Sequence, residues 1–234
     1  MNRRKYLFLS TGATLGSFFA LGKSITQAQE LPQPSQSGLV TGRSKRLRYD
    51  EVPGFLSSGQ IAPHYTAHYG GALRAFTTIQ DDFDNSFKGG SPIKGSAFNR
   101  MKYLQSSRGN SVLLHELYFD GIALKSMGPP EDLGNAIRKR FGSVERWAID
   151  FVDSAKTATG WAMLIVHPVN GKLYNVVSDE HAQGPMWLSA PLVVIDVYEH
   201  AFYIDYQNRK SEYVEKFLSY IDWVEADRRY RQAT

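Results

Sequence analysis

Six histidines are available for chemistry in this 234-residue chain, His64, His68, His115, His167, His181 and His200, and there is no cysteine. The lack of thiols removes disulfides, thiolate zinc sites, iron–sulfur clusters and cysteine nucleophiles together, and leaves any metal to imidazole and carboxylate. The densest group of reactive side chains is DVYEHAFYIDYQNR, residues 196–209, directly behind the apolar run PLVVI. Asp196 and His200 therefore stand where a buried strand ends. Two readings compete there: the pair caps and hydrogen-bonds the start of a helix, or it ligates a metal. His64 and His68 are four apart and share one face of a helix, a spacing that suits a two-histidine chelate and arises equally by chance. HYTAH lacks the glutamate that a zinc-protease helix carries after its first histidine, and HELYF at 115 lacks the second histidine. Serine-hydrolase elbows and phosphate-binding loops are missing as motifs.

These side chains need elements to hold them. From Leu56, LSSGQIAPHYTAHYGGALRAFTTI has a serine fit to cap a helix and apolar residues at helical spacing. After a loop containing KGGSPIKG, NSVLLHELYFDGIAL resumes a helical or buried pattern, so two helices form an antiparallel hairpin over residues 53–126. GPPEDL breaks the chain. NAIRKRFGSVERWAIDFVDSAKTA then reads as helical, and GWAMLIVHP, LYNVVSDE and PLVVID read as strands, the first two joined at Asn170-Gly171 by the strongest local turn signal. One long helix is expected from about Gln207 to Arg229. The architecture expected is α+β: the N-terminal helical hairpin, then a C-terminal α/β domain, 127–234, with a three-stranded antiparallel sheet.

The net charge of +4 looks basic but is local. Residues 1–28 hold four of the 27 basic side chains and no acid, which leaves the remainder balanced at 23 of each sign. A nucleic-acid footprint of clustered Lys and Arg is not expected; the run RSKRLR at 43–48 reads as solvated. Residues 29–52, rich in Pro, Ser, Gln and Gly, read as a linker. NRRKYLFLSTGATLGSFFALG resembles a twin-arginine export signal, with Arg3 and Arg4 as the pair and cleavage after Ala28. An uncleaved membrane anchor is the alternative. Either reading places the folded part outside a cytoplasmic membrane, in the periplasm if the signal is removed, with no stable membrane insertion after cleavage.

PLVVIDVYEHAFYIDYQNRKSEYVEKFLSYIDW resembles the C-terminal signature of the iron/manganese superoxide dismutases, D-x-W-E-H-A-[FY]-Y, continued through YIDYQN into the terminal helix. LSSGQIAPHYTAHY is similar to the family's first ligand helix and RGNSVLLHELYFDGIAL to its second, so the resemblance spans about residues 54 to 230. It implies His64, His115, Asp196 and His200 as ligands of one iron or manganese ion per subunit. Superoxide is the implied substrate, converted to dioxygen and hydrogen peroxide. Three neutral imidazoles and a carboxylate suit an ion cycling between 2+ and 3+.

The chain departs from the family around those ligands. Ser111 stands where many iron enzymes carry a glutamine toward the metal-bound solvent, and His181 takes the position from which other members supply a histidine; Gln183 is the runner-up. Ala72 replaces the usual funnel tyrosine, Thr66, His68 and Tyr69 replace a glycine and paired histidines, Met163 replaces a tryptophan, and Tyr198 replaces the motif tryptophan. These changes support one alternative, a metal-binding relative with little or no dismutase activity. The resemblance further implies a homodimer in which Glu199 meets the partner's His200 and Tyr203 the partner's His68.

Overall fold

The computed structural model describes residues 36–234. The expected export signal, residues 1–28, lies outside the described residues. The order of elements is α1 (Gly38–Thr41), α2 (Ser58–Pro63), a π-helical turn (His64–Tyr69), α3 (Gly70–Phe87), α4 (Gly95–Asp120), α5 (Glu131–Phe141), α6 (Val144–Thr157), β1 (Trp161–His167), β2 (Lys172–Ser178) and β3 (Ala190–Asp196). A 3-10 turn (Glu199–Ala201), α7 (Tyr203–Tyr206), α8 (Lys210–Phe217), a second 3-10 turn (Leu218–Tyr220) and α9 (Trp223–Ala233) complete it. This is the α+β arrangement read from the residues: a helical hairpin of α3 and α4, then helices around a three-stranded antiparallel sheet.

Local chemistry accounts for the boundaries that matter. Ser57 caps α2 by accepting the Gln60 N–H at 3.2 Å. The β1–β2 turn forms at Asn170-Gly171, where Gly171 takes φ +63° and the Asn170 side chain accepts the Lys172 N–H at 2.9 Å; a side chain at that φ would be strained. β1 lies between β2 and β3. Its first six residues are all buried, as a central strand covered on both sides requires. Across the β1–β3 ladder Trp161 is the partner of Asp196, and directly opposed residues present their side chains to the same face.

Two expectations are corrected. The single terminal helix from Gln207 to Arg229 is broken into α8 and α9, because Ile221 leaves helical geometry to bridge with Ile122 and Asp222 then caps α9 by accepting the Glu225 N–H at 2.9 Å. Residues 36–52 are not a featureless linker: Ser37 caps α1, Gly38 and Val52 are buried, and Val52 pairs with Leu56. Polar composition hid this, because the hydrogen bonds and ion pairs that hold the stretch leave no periodic trace, and Leu39, Leu47, Tyr49 and Val52, which pack against the cores, follow no regular spacing. No helix among the described residues is long and apolar enough to cross a membrane.

Candidate metal centre

Four elements converge between the hairpin and the sheet. His64 opens the π-helical turn, His115 lies in the second half of α4, Asp196 ends β3, and His200 sits in the 3-10 turn just after it. The π turn has local causes. Pro63 has no N–H to give, and Thr66 Oγ1 donates to the Ala62 carbonyl at 2.8 Å, competing for an acceptor that an α-helix would use. A wider turn brings residues five apart onto one side, and accordingly both His64 and Tyr69 are buried against His115, at ring separations of 5.1 and 6.2 Å.

The donor atoms of His64, His115, Asp196 and His200 all lie within 4.8 Å of one another. Oδ2 of Asp196 is the hub, 3.2 Å from His64 Nε2, 3.3 Å from His200 Nε2 and 3.7 Å from His115 Nε2. Two atoms each about 2 Å from a shared ion lie no more than about 4 Å apart, so these three separations admit one. His64, His115 and Asp196 are at most 1% exposed. The other oxygen of Asp196 accepts the Tyr198 N–H at 3.0 Å. Oδ1 thus closes the turn ahead of the 3-10 helix, whose N-cap, Tyr198, receives no side-chain cap, while Oδ2 faces the three imidazoles.

Protonation is decided by burial and by the carboxylate. Burial lowers the pKa of His64 despite its contact with Asp196, and takes His115 down to about 3. Burial alone would raise the Asp196 carboxyl, but the neighbouring His200 and His64 imidazoles outweigh it and hold the group below the ordinary carboxylate range. His115 is further constrained: its Nδ1–H donates to the Ser111 carbonyl at 2.6 Å, so Nε2 carries only a lone pair. That atom and His200 Nε2 are buried without a hydrogen-bond partner. The bare lone pair of His115 Nε2, facing an ionised oxygen in a dry interior, is repelled unless a cation lies between them. The donor set therefore fits a metal ion.

Around these four, the structure separates the remaining candidates. His181 lies 6.2 Å from the His115 ring and 5.1 Å from Tyr198. Trp161 Nε1–H donates to His181 Nδ1 at 3.0 Å, and Asn110 holds the His181 carbonyl at 2.8 Å. Gln183 does not join them. It is exposed, and its side-chain oxygen accepts the Asp179 N–H at 3.1 Å. His68 stacks on His200 of its own chain, with centroids 3.7 Å apart and planes within 8°; burial, and then the His200 and His64 rings, take its pKa to about 4. Glu199 and Tyr203 are exposed beside it. Ala72 is buried and Ser111 Oγ approaches His115 Nδ1 at 3.4 Å, away from the lone pair of Nε2. His167 ends β1 outside the group.

One supporting residue escaped the sequence reading. Gln60 is fully buried, donates to the His200 carbonyl at 2.6 Å and accepts the Ile204 N–H at 2.9 Å. It pins the turn that carries His200 to the helix that leads into His64. The available signal was an amide four residues before His64 on an otherwise apolar helical face. Tyr213 acts similarly from α8, donating to the Asp196 carbonyl at 2.8 Å and sharing a 2.9 Å hydrogen bond with Tyr118.

A helical hairpin and a three-stranded sheet that jointly hold three imidazoles, two of them buried, around one buried carboxylate define a mononuclear metalloprotein of α+β fold. The family model for iron/manganese superoxide dismutases, C-terminal domain, matches residues 129–229. A manganese superoxide dismutase of Haloferax volcanii is 30% identical over 79% of this chain and 92% of its own length. Iron superoxide dismutases of Aquifex aeolicus and Cupriavidus metallidurans are each 32% identical over 76% of this chain, covering 85% and 90% of their own lengths. The chain belongs to the iron/manganese superoxide dismutases. Its cofactor is one iron or manganese ion.

Proposed function

We propose that this protein disproportionates superoxide, with Nε2 of His64, His115 and His200 and Oδ2 of Asp196 as the ligands of its metal. The observation that carries the ligand assignment is the pair of buried, unpartnered imidazole nitrogens, on His115 and His200, facing an ionised Asp196. Family membership supports the substrate. The bound ion supplies one-electron chemistry, so that two superoxides and two protons leave as one dioxygen and one hydrogen peroxide.

The chain's own residues set orientation and proton supply. Because Trp161 donates to His181 Nδ1, the neutral ring carries its proton on Nε2. His181 is then a one-proton donor beside the ligands, held at its backbone by Asn110. His68 closes one side of the His200 ring by stacking, and Tyr198 stacks near it at 5.3 Å.

Two further parts of the reading concern assembly and place. A homodimer with two-fold symmetry would set Glu199 against the partner's His200 and Tyr203 against the partner's His68; the exposure of Glu199 and Tyr203 next to the ligand turn supports this. The paired Arg3 and Arg4 ahead of a short, glycine-broken apolar run support export, with a periplasmic location.

The deciding experiment is metal analysis beside a superoxide assay on the full-length protein and on His64→Ala, His115→Ala, Asp196→Ala and His200→Ala. Each variant should bind less metal, lose activity and unfold more readily than the wild type, since metal binding is linked to folding. Full metal occupancy in His64→Ala would end the ligand assignment. A fully loaded wild type without activity would instead favour a metal-binding relative.

A further inference from the structure

Residues 37–48 cross both ligand-bearing helices before the chain enters the region that resembles the family. Their contacts are specific. The Gly38 N–H donates to Glu116 Oε1 at 2.7 Å, and the Tyr69 hydroxyl donates to the same oxygen at 2.8 Å. That hydroxyl in turn accepts the Lys45 N–H at 2.7 Å, while the Tyr65 hydroxyl donates to the Lys45 carbonyl at 2.9 Å. Lys45 pairs with Asp120, and Arg48 bridges the Asp120 carbonyl and the Asp222 carboxylate at 2.9 and 2.6 Å. Every one of these partners lies on an element that carries a ligand or adjoins one: Tyr65 and Tyr69 share the π turn with His64, Glu116 and Asp120 share α4 with His115, and Asp222 caps α9.

Glu116 is the junction. It follows His115 directly, is 7% exposed, and takes its two bonds from the π turn and from the segment itself. A buried carboxylate with charge-assisted bonds to both is expensive to leave unpaired, so its partners are held firmly. The fit at Gly38 is equally demanding: a Cβ there would lie 3.0 Å from Leu73, 3.1 Å from the Tyr69 hydroxyl and 3.2 Å from the Arg43 carbonyl, so only glycine brings the backbone this close without displacement. The π turn is the less stable helical form. The hydroxyls of Tyr65 and Tyr69, both reaching Lys45, oppose its relaxation into a regular α-helix, which would rotate His64 relative to His115.

We infer that residues 37–48 are a strap that retains the metal by fixing the register of the two ligand helices, with Glu116 and Tyr69 as the positioning residues through which it acts. This rests on the ligand assignment proposed above. Neither residue touches the ligand atoms of the site. They act through the placement of His64 and His115, as outer partners of metal ligands do elsewhere.

The test uses the full-length, metal-loaded protein and a chromogenic chelator, with Tyr69→Phe, Glu116→Ala, Glu116→Gln and the double variant Tyr69→Phe/Glu116→Ala. Metal release should quicken about ten- to a hundredfold in Tyr69→Phe and Glu116→Ala, the usual cost of removing a partner of a metal ligand. Glu116→Gln keeps the accepting oxygen and should release metal at close to the wild-type rate. Because both residues act through one linkage, the double variant should be no faster than the faster single one; additive acceleration would overturn the proposal. Hydrogen exchange on the metal-free proteins separates a strap from general weakening and does not depend on the ligand assignment. The amides of residues 37–48 should exchange faster in Tyr69→Phe and Glu116→Ala while those of β1 do not. Equal acceleration in β1, or unchanged metal release in both single variants, would also overturn it.

Discussion

Trp161 and His181 are joined by a hydrogen bond in which the indole N–H donates to the imidazole Nδ1 across 3.0 Å. The indole can only donate, so the histidine can only accept at that atom. One tautomer is selected, with the proton on Nε2. Trp161 is also the ladder partner of Asp196 and meets the His115 ring edge-on at 5.2 Å, so one residue of the central strand touches Asp196, His115 and His181.

His181→Ala should therefore retain metal yet lower turnover by roughly tenfold or more. Loss of one hydrogen bond involving a charged group costs about 1.5–3 kcal/mol, and about 1.4 kcal/mol is a factor of ten in rate. Trp161→Phe should produce part of the same loss by releasing the tautomer. Metal content measured alongside turnover separates this role from ligation. A His181→Ala protein as active as wild type would refute it, and His167→Ala serves as the neutral comparison.

Acid should destabilise the metal-free protein. His115 has a folded pKa of about 3, against about 6.5 in an unfolded chain, and His64 is lowered in the same direction. Between those values the unfolded state binds protons that the folded state does not, so stability rises with pH across this window. The depressed Asp196 has the same sign, its contribution being lost as pH falls below the unfolded carboxylate value of about 3.9. Urea unfolding midpoints of the metal-free protein should thus be lower at about pH 4.5 than at about pH 7.5. An equal or higher midpoint in acid would contradict the neutral, buried imidazoles.

Association and metal retention should fail together. If Glu199 reaches the partner's His200, Glu199→Ala should weaken the dimer and loosen the metal, because an isologous contact acts at both sites at once. Sedimentation of wild type and variant at micromolar concentration, with metal analysis of each, measures both effects. A monomeric wild type at that concentration would count against the two-fold arrangement.

Export should depend on the arginine pair as such. Changing Arg3 and Arg4 to Lys preserves charge and should hold the protein in the cytoplasm, since such a signal is read by a receptor rather than by charge alone. Fractionation of cells expressing the two forms decides it. Export that continues unchanged would point to the general secretory route or to an anchor.

The residue types and local order of the candidate centre were legible without coordinates. No cysteine was present, so any ligand set had to be imidazole and carboxylate, and the apolar run before Asp196 already indicated a buried strand end. Asn170-Gly171 predicted its hairpin because that turn is a matter of two residues' φ angles. What lay beyond local order needed the fold. Convergence of His64, His115, Asp196 and His200 joins positions up to 136 residues apart, which no periodicity reports. The aim of Gln183 was invisible because a side-chain amide in a loop takes the nearest backbone partner, here Asp179. His68 and His200 stack only because the π turn and the 3-10 turn meet. The break at Ile221 came from a bridge to Ile122, a long-range bond that overrides helical spacing. Residues 37–48 looked like solvent-exposed chain, since polar contacts to Glu116, Asp120 and Asp222 leave no pattern to read and the two leucines that pack inward, Leu39 and Leu47, show no period. Residue order determined which atoms could bind a metal; tertiary packing decided that they face one another, because burial and long-range hydrogen bonding act between segments that the chain keeps far apart.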